Sequence, residues 1–119
     1  MSLSRVTLPK SVIRGLGNVP FDVFEPREGV AAALTLNLKE ELGCVGGKWT
    51  VYETSGLNAV TITVDRTKVY TVNAGAIVAS EIIVFDQIII GVGVAGVVNL
   101  YIEGWSLELL EELGKKRLL

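Results

Sequence analysis

The sequence predicts a mainly β domain, an antiparallel sandwich or barrel, closed by one short helix at its C-terminus. Three observations carry this. Short segments rich in Val, Ile and Thr recur at intervals near ten residues. Gly and Asn punctuate them, and no strand–helix–strand alternation appears that would signal a parallel sheet. Only after Trp105 does the apolar period change from two to that of a helix.

Residues 1–20 are the exception to the strand grammar. They hold Arg5, Lys10 and Arg14 and no acid, and Pro9, Gly15, Gly17 and Pro20 interrupt any long element. They read as an irregular first strand or an extended arm over a neighbour, and with no continuous apolar core they do not read as a secretory signal. From residue 21 the strands begin. "FDVFE" (21–25) alternates, and so does "LTLNLK" (34–39). Val30, Leu34, Leu38 and Leu42 also fit helical spacing there, but Thr35 and Asn37 favour a strand. "GCVGGKW" (43–49) reads as a glycine-rich turn with Cys44 as a small filler. It fails as a phosphate loop, because Leu42 stands where the first Gly belongs and Trp49 where Ser or Thr should follow.

"KWTVYET" (48–54) and "NAVTITVD" (58–65), parted by Ser55 and Gly56, carry a hairpin signature. "DRT" turns the chain into "KVYTV" (68–72), and "NAG" turns it again into "AIVASEIIVF" (76–85). The most apolar stretch comes next. Its uncharged run, residues 87–102, falls short of the roughly 20 residues a spanning helix needs and is interrupted by Gly91, Gly93 and Gly96. It reads as a hairpin: "DQIIIGVG" up, a turn near Gly96, and "VVNLYIEG" back. Val98, Leu100 and Ile102 then share one face, with Asn99, Tyr101 and Glu103 on the other. No membrane span is expected.

Residues 106–119 form the helix. Ser106 is the N-cap candidate; acids come first (Glu108, Glu111, Glu112) and bases last (Lys115, Lys116, Arg117), matching the helix dipole. Glu111 with Lys115 and Glu112 with Lys116 are i,i+4 pairs. Leu109, Leu110 and Leu113 make an apolar stripe. Two docking sites are open to it: the chain's own sandwich, or a neighbouring subunit. The domain reading is therefore an arm (1–20), a sandwich (21–105) and an amphipathic helix (106–119).

Catalysis has little to draw on. There is no histidine among the 119 residues, which removes the usual general base and the Ser–His and Cys–His pairs. A single Cys44 begins neither a zinc site nor an internal disulfide. Asp22, Glu25 and Glu28 lie close in sequence, and Asp22 with Glu53 or Glu103 is the carboxylate pairing a sheet would allow. No calcium-loop pattern exists, and neither metal nor cofactor is expected. Trp49, Tyr52, Tyr70, Tyr101 and Trp105 raise a sugar platform as one use of aromatics and core or interface as the other. Trp49 and Tyr52 point to opposite faces of one strand, so at most one is exposed. A net charge of -2 excludes a generally basic nucleic-acid binder. The absence of His, with one Met and Gln87 the single glutamine, leans towards a heat-adapted source.

From Val69 to Trp105 the chain resembles a known family. "VYTVNAG", an apolar strand, "DQIIIG" and "GVVNLYIEGW" are similar to the "Y-T-V-P-A-G" turn, "I-x-I" strand and "V-x-L-Y-x-x-G" return strand of small jelly-roll capsid, decoration and head-fibre proteins of bacterial and archaeal viruses. Asn73 stands where that family often has proline, and residues before 69 add no motif. The resemblance implies a jelly-roll-like sandwich and a non-enzymatic subunit located in a virion, whose partners are copies of itself and other proteins of the particle. Arg5, Lys10 and Arg14 of the arm and Leu109, Leu110 and Leu113 of the helix would then form the assembly contacts. The other reading is a soluble, cytoplasmic binding module for a carbohydrate or a partner protein.

Overall fold

The computed structural model describes Leu16 and residues 18–117. Arg5, Lys10, Arg14 and most of the expected arm lie outside the described residues. Within them, eight strands form two four-stranded antiparallel sheets. In chain order these are β1 (Val23–Val30), β2 (Leu34–Asn37), β3 (Cys44–Glu53), β4 (Val60–Val64), β5 (Lys68–Val72), β6 (Ile77–Ala79), β7 (Gln87–Gly91) and β8 (Val98–Ser106). One sheet has the order β1-β8-β3-β6 and the other β2-β7-β4-β5. The pairs β1·β8, β2·β7, β3·β6 and β4·β5 are all hydrogen-bonded neighbours. The chain thus forms a nested ribbon, with β4–β5 at its tip and β1 and β8 at its open end.

This topology corrects two sequence expectations. β7 and β8 do not pair with each other: β7 lies between β2 and β4, and β8 between β1 and β3. The turn at Gly93–Gly96, closed by the Gly96 amide on the Gly93 carbonyl, carries the chain from one sheet to the other. The same holds for β3 and β4 across Ser55 and Gly56. β4–β5 is a true hairpin, where Asp65 and Arg66 both adopt positive φ (49° and 64°) in a tight turn. Alternation survives the correction. Val98, Leu100 and Ile102 are fully buried, while Asn99, Tyr101 and Glu103 face outward and are half-buried.

Three local assignments also change. Residues 38–42 leave the strand and make one helical turn, α1 (Leu38–Leu42), whose Lys39 amide donates to Asp86 Oδ1 and which ends at Gly43 in the left-handed region. "GCVGG" is strand, not turn: Cys44 to Gly47 open β3, and Cys44 is buried on it rather than in a loop. Burial and the carboxylates of Glu25, Asp22 and Asp86 push its thiol up to about 11. Finally, the strand expected over 76–85 keeps ladder pairing only at Ile77–Ala79. Beyond Ala79, residues 80–85 follow β3 irregularly through Ser80 N to Trp49 O, Ile83 N to Gly47 O and a bridge between Phe85 and Gly46, along the stretch where the β3·β8 register shifts between Gly46 and Lys48.

Two apolar clusters result. The larger fills the sandwich with inward residues of both sheets, including Trp49, Val51, Ile62, Ile90, Leu100 and Ile102. Trp49 packs against Tyr70 with ring centroids 5.1 Å apart. The smaller lies outside the sandwich. Trp105 continues the outward side of β8 beyond Tyr101 and Glu103 and pairs with Val45. Leu16, Val19, Phe21 and the helix α2 (Leu107–Arg117) cover them. Ser106 is the N-cap as expected: its hydroxyl accepts the Leu109 amide, and Asp22 accepts both the amide and the hydroxyl of Ser106. The ion pair seen on α2 is Lys115–Glu112 at i,i+3, exposed and worth little. No helix among the described residues is long and apolar enough to cross a membrane.

Candidate functional site: an outer sheet face and a loop knot

Edges and faces decide what a sandwich can bind, and the outer face of the β1-β8-β3-β6 sheet is the broad one with exposed aromatic and apolar side chains. Outward residues follow from registers. Phe24, Glu103 and Lys48 form one row across the strands, Pro26, Tyr101, Thr50 and Ala79 a second, and Asn99, Tyr52 and Ile77 a third. Phe24 (62 % exposed) and Ile77 (64 %) are large apolar groups in the solvent phase of the alternation. The Phe24 and Tyr101 rings stack at 6.1 Å and 9°. Tyr101 also donates its hydroxyl to Glu28, and that bond raises its pKa.

Of the aromatics singled out in the sequence, Trp49 and Trp105 are buried and Tyr70 packs on Trp49; only Tyr52 and Tyr101 reach this face. Phe24 was the missed partner. Its signal was present, since it sits out of phase with Val23 on an alternating strand. The edge itself is blunted. Pro26 removes an amide from β1, and Glu25 and Arg27 point to the inward side, joined by an ion pair at 2.9 Å.

Of the carboxylate pairs suggested by the sequence, Asp22 and Glu53 are not brought together, while the register sets Glu103 beside Phe24, close to Asp22. Asp22 caps α2 while Glu53 lies at the other end of the sheet, about 20 Å of strand away, because β8 runs from Val98 beside Glu53 to Gly104 beside Val23. Glu25 is held by Arg27, and Glu28 accepts from Tyr101. Among the described residues no group of three or more His, Cys, Asp or Glu is placed to hold a metal ion.

Glu53 is the unexpected feature. Among the described residues it is the buried charged one, and it ties three loops together. Its carboxylate accepts from the Ser55 hydroxyl (2.6 Å) and from the amides of Ser55, Gly56, Gly75 and Val97 (3.3, 2.7, 3.1 and 3.2 Å). These donors belong to the β3–β4, β5–β6 and β7–β8 connections. The Ser55 hydrogen bond foremost, with the amides, holds the carboxyl down at about 2 against the opposing effect of burial. "ETSG" was the available signal, an acid followed by a hydroxyl and a glycine able to fold back on it. Because the folded pKa lies below the ordinary value of 4.5, the stabilisation is fully present above that value and is lost as pH falls towards 2. Glu53→Gln is therefore expected to be less stable than the parent at pH 7, with the gap closing between pH 4.5 and 2 in urea titrations. A gap independent of pH would exclude this role.

The assembly residues inferred from sequence divide. Leu110 is buried, and Leu109 and Leu113 are partly buried, all in the chain's own second cluster with Trp105 and Val45. No known protein-family profile matches the chain, and comparison with curated proteins gives no match.

Proposed function

We propose that the chain is a non-enzymatic structural subunit, a jelly-roll sandwich that assembles with copies of itself in a virus particle. The observation that carries this is the strand order, β1-β8-β3-β6 facing β2-β7-β4-β5 with the nested pairs described above. Folding such a ribbon over itself generates the eight-stranded double-sheet jelly roll, an architecture of capsid and lectin domains among others. Fold alone does not choose among those uses. Two further features favour assembly: the exposed apolar groups on the outer sheet face, and the resemblance of residues 69–105 to virion proteins.

The test is mass in solution. Sedimentation velocity of the full chain over a wide concentration range is expected to give a discrete oligomer or closed particle, visible by electron microscopy. A monomer at every concentration would overturn the proposal. A second reading, a carbohydrate-binding module, draws on the Phe24–Tyr101 stack and Tyr52 on one face. A monomer that binds a polysaccharide, and loses it on Phe24→Ala, would favour that reading instead.

A further inference from the structure

The two ends of the sandwich differ in chemistry. At one end lie the β2–β3, β4–β5 and β6–β7 connections, which carry Lys39, Glu40, Asp65, Arg66, Glu81 and Asp86 among their residues. At the other lie the β1–β2, β3–β4, β5–β6 and β7–β8 connections. Registers bring these four together: Val30 and Glu53 both flank Val98, and Leu34, Ile62 and Ile90 lie side by side. Their residues, 31–33, 54–59, 73–76 and 92–97, include no charged and no aromatic side chain. Of the charges at this end of the strands, Glu53 is buried and spent on the loop amides, and Glu28 of β1 accepts from Tyr101 on the outer sheet face.

The surface they present is apolar and firmly held. Leu57 is 63 % exposed and Val94 87 %. Asn58 Nδ2 donates to the Val94 carbonyl and so joins their two loops. The hydroxyls that would otherwise greet a polar ligand are engaged internally, Thr54 on the Val97 carbonyl and Ser55 on Glu53.

We infer that this charge-free loop end is a contact between copies of the chain around a rotation axis, with Leu57 and Val94 as its apolar anchors. The inference rests on the self-assembly reading and says which surface performs it. Charge selects the occupant. Around a symmetry axis each copy presents the same loops, so any charge on them would face its own kind. An end stripped of charge meets that requirement. Other occupants are poorly served: a sugar finds no aromatic face on these loops, and an anionic membrane finds no Lys or Arg. Three loops pinned to one carboxylate also lose little freedom on association.

The experiment is a double variant, Leu57→Lys with Val94→Lys, in the full chain. Both side chains are exposed, so circular dichroism and melting are expected to match the parent. Sedimentation over a concentration series should show association weakened by roughly a hundredfold or more, since like charges are brought together. Glu81→Lys, at the charged end, should leave it unchanged. Three results would overturn the inference. If the double variant associates like the parent, the contact lies elsewhere and the self-assembly reading stands without it. If the parent never associates, that reading falls as well. If the parent floats with phosphatidylcholine vesicles and the variant does not, the tip is a lipid contact.

Discussion

Gly104→Ala is expected to cripple folding, lowering the melting temperature by roughly 10–25 °C. Gly104 sits on β8 between its two neighbouring strands, paired with Val23 of β1 on one side and Gly46 of β3 on the other. A Cβ built there would come within 2.1 Å of the Val45 carbonyl oxygen and 3.2 Å of Gly46 Cα. Those obstacles are backbone, so no rotamer change relieves the clash; β3 and β8 must part. Overpacking ordinarily costs about 1–3 kcal/mol, and a clash against main chain lies at or above the top of that range. Gly93→Ala is the control. Its nearest neighbour, Asn58 Cβ, is at 3.4 Å, an ordinary contact, and the change is expected to stay within about 0.5 kcal/mol. Equal melting of both variants would mean that β3 and β8 do not approach as described.

The second large effect is expected at Trp105. Trp105→Ala should cost about 3–5 kcal/mol, or roughly 15–30 °C in melting temperature. Trp105 is fully buried although it lies on the outward side of β8. Its ring meets Phe21 at 4.9 Å, and its Nε1 donates to the Val19 carbonyl at 3.0 Å. Truncation leaves a cavity among Leu16, Val45 and Leu110 and strands a carbonyl. The damage should be local first. Hydrogen exchange is expected to speed up in α2 before it does in the β3–β8 ladder, because α2 is held by this cluster and the ladder by the larger core. Unchanged protection of α2 in the variant would show that the helix does not depend on Trp105.

Trp105 also shows where sequence reasoning stopped. The helix, its Ser106 cap and the stripe of Leu109, Leu110 and Leu113 were legible from period and residue type. Where the stripe docks was not. A stripe states that a face must be covered, and the covering surface is made by Trp105 together with Val45 and Phe21, which come from distant parts of the chain.

Much of the candidate surface was readable in the same partial way. Asn99, Tyr101 and Glu103 could be assigned to one side of β8 by parity alone, and the same rule says that at most one of Trp49 and Tyr52 is exposed; the structure buries Trp49 and exposes Tyr52. The knot around Glu53 could not, since Gly75 and Val97 reach it from residues far along the chain.

The sequence by itself determined the β class, the positions of the turns at Ser55–Gly56, "DRT", "NAG" and near Gly96, the two alternating sets on β8, and the C-terminal helix. All of these depend on local sterics and on the two-residue period of a strand. Only the tertiary structure decided which strands pair. A short turn between two strands suits a hairpin and a crossing between sheets equally well, so β7 and β8 looked like partners and are not. Pairing is settled by which inward faces bury one another, and that is a property of the whole sandwich: Ile62, Ile90, Leu100 and Ile102 meet in one core although their strands belong to two sheets.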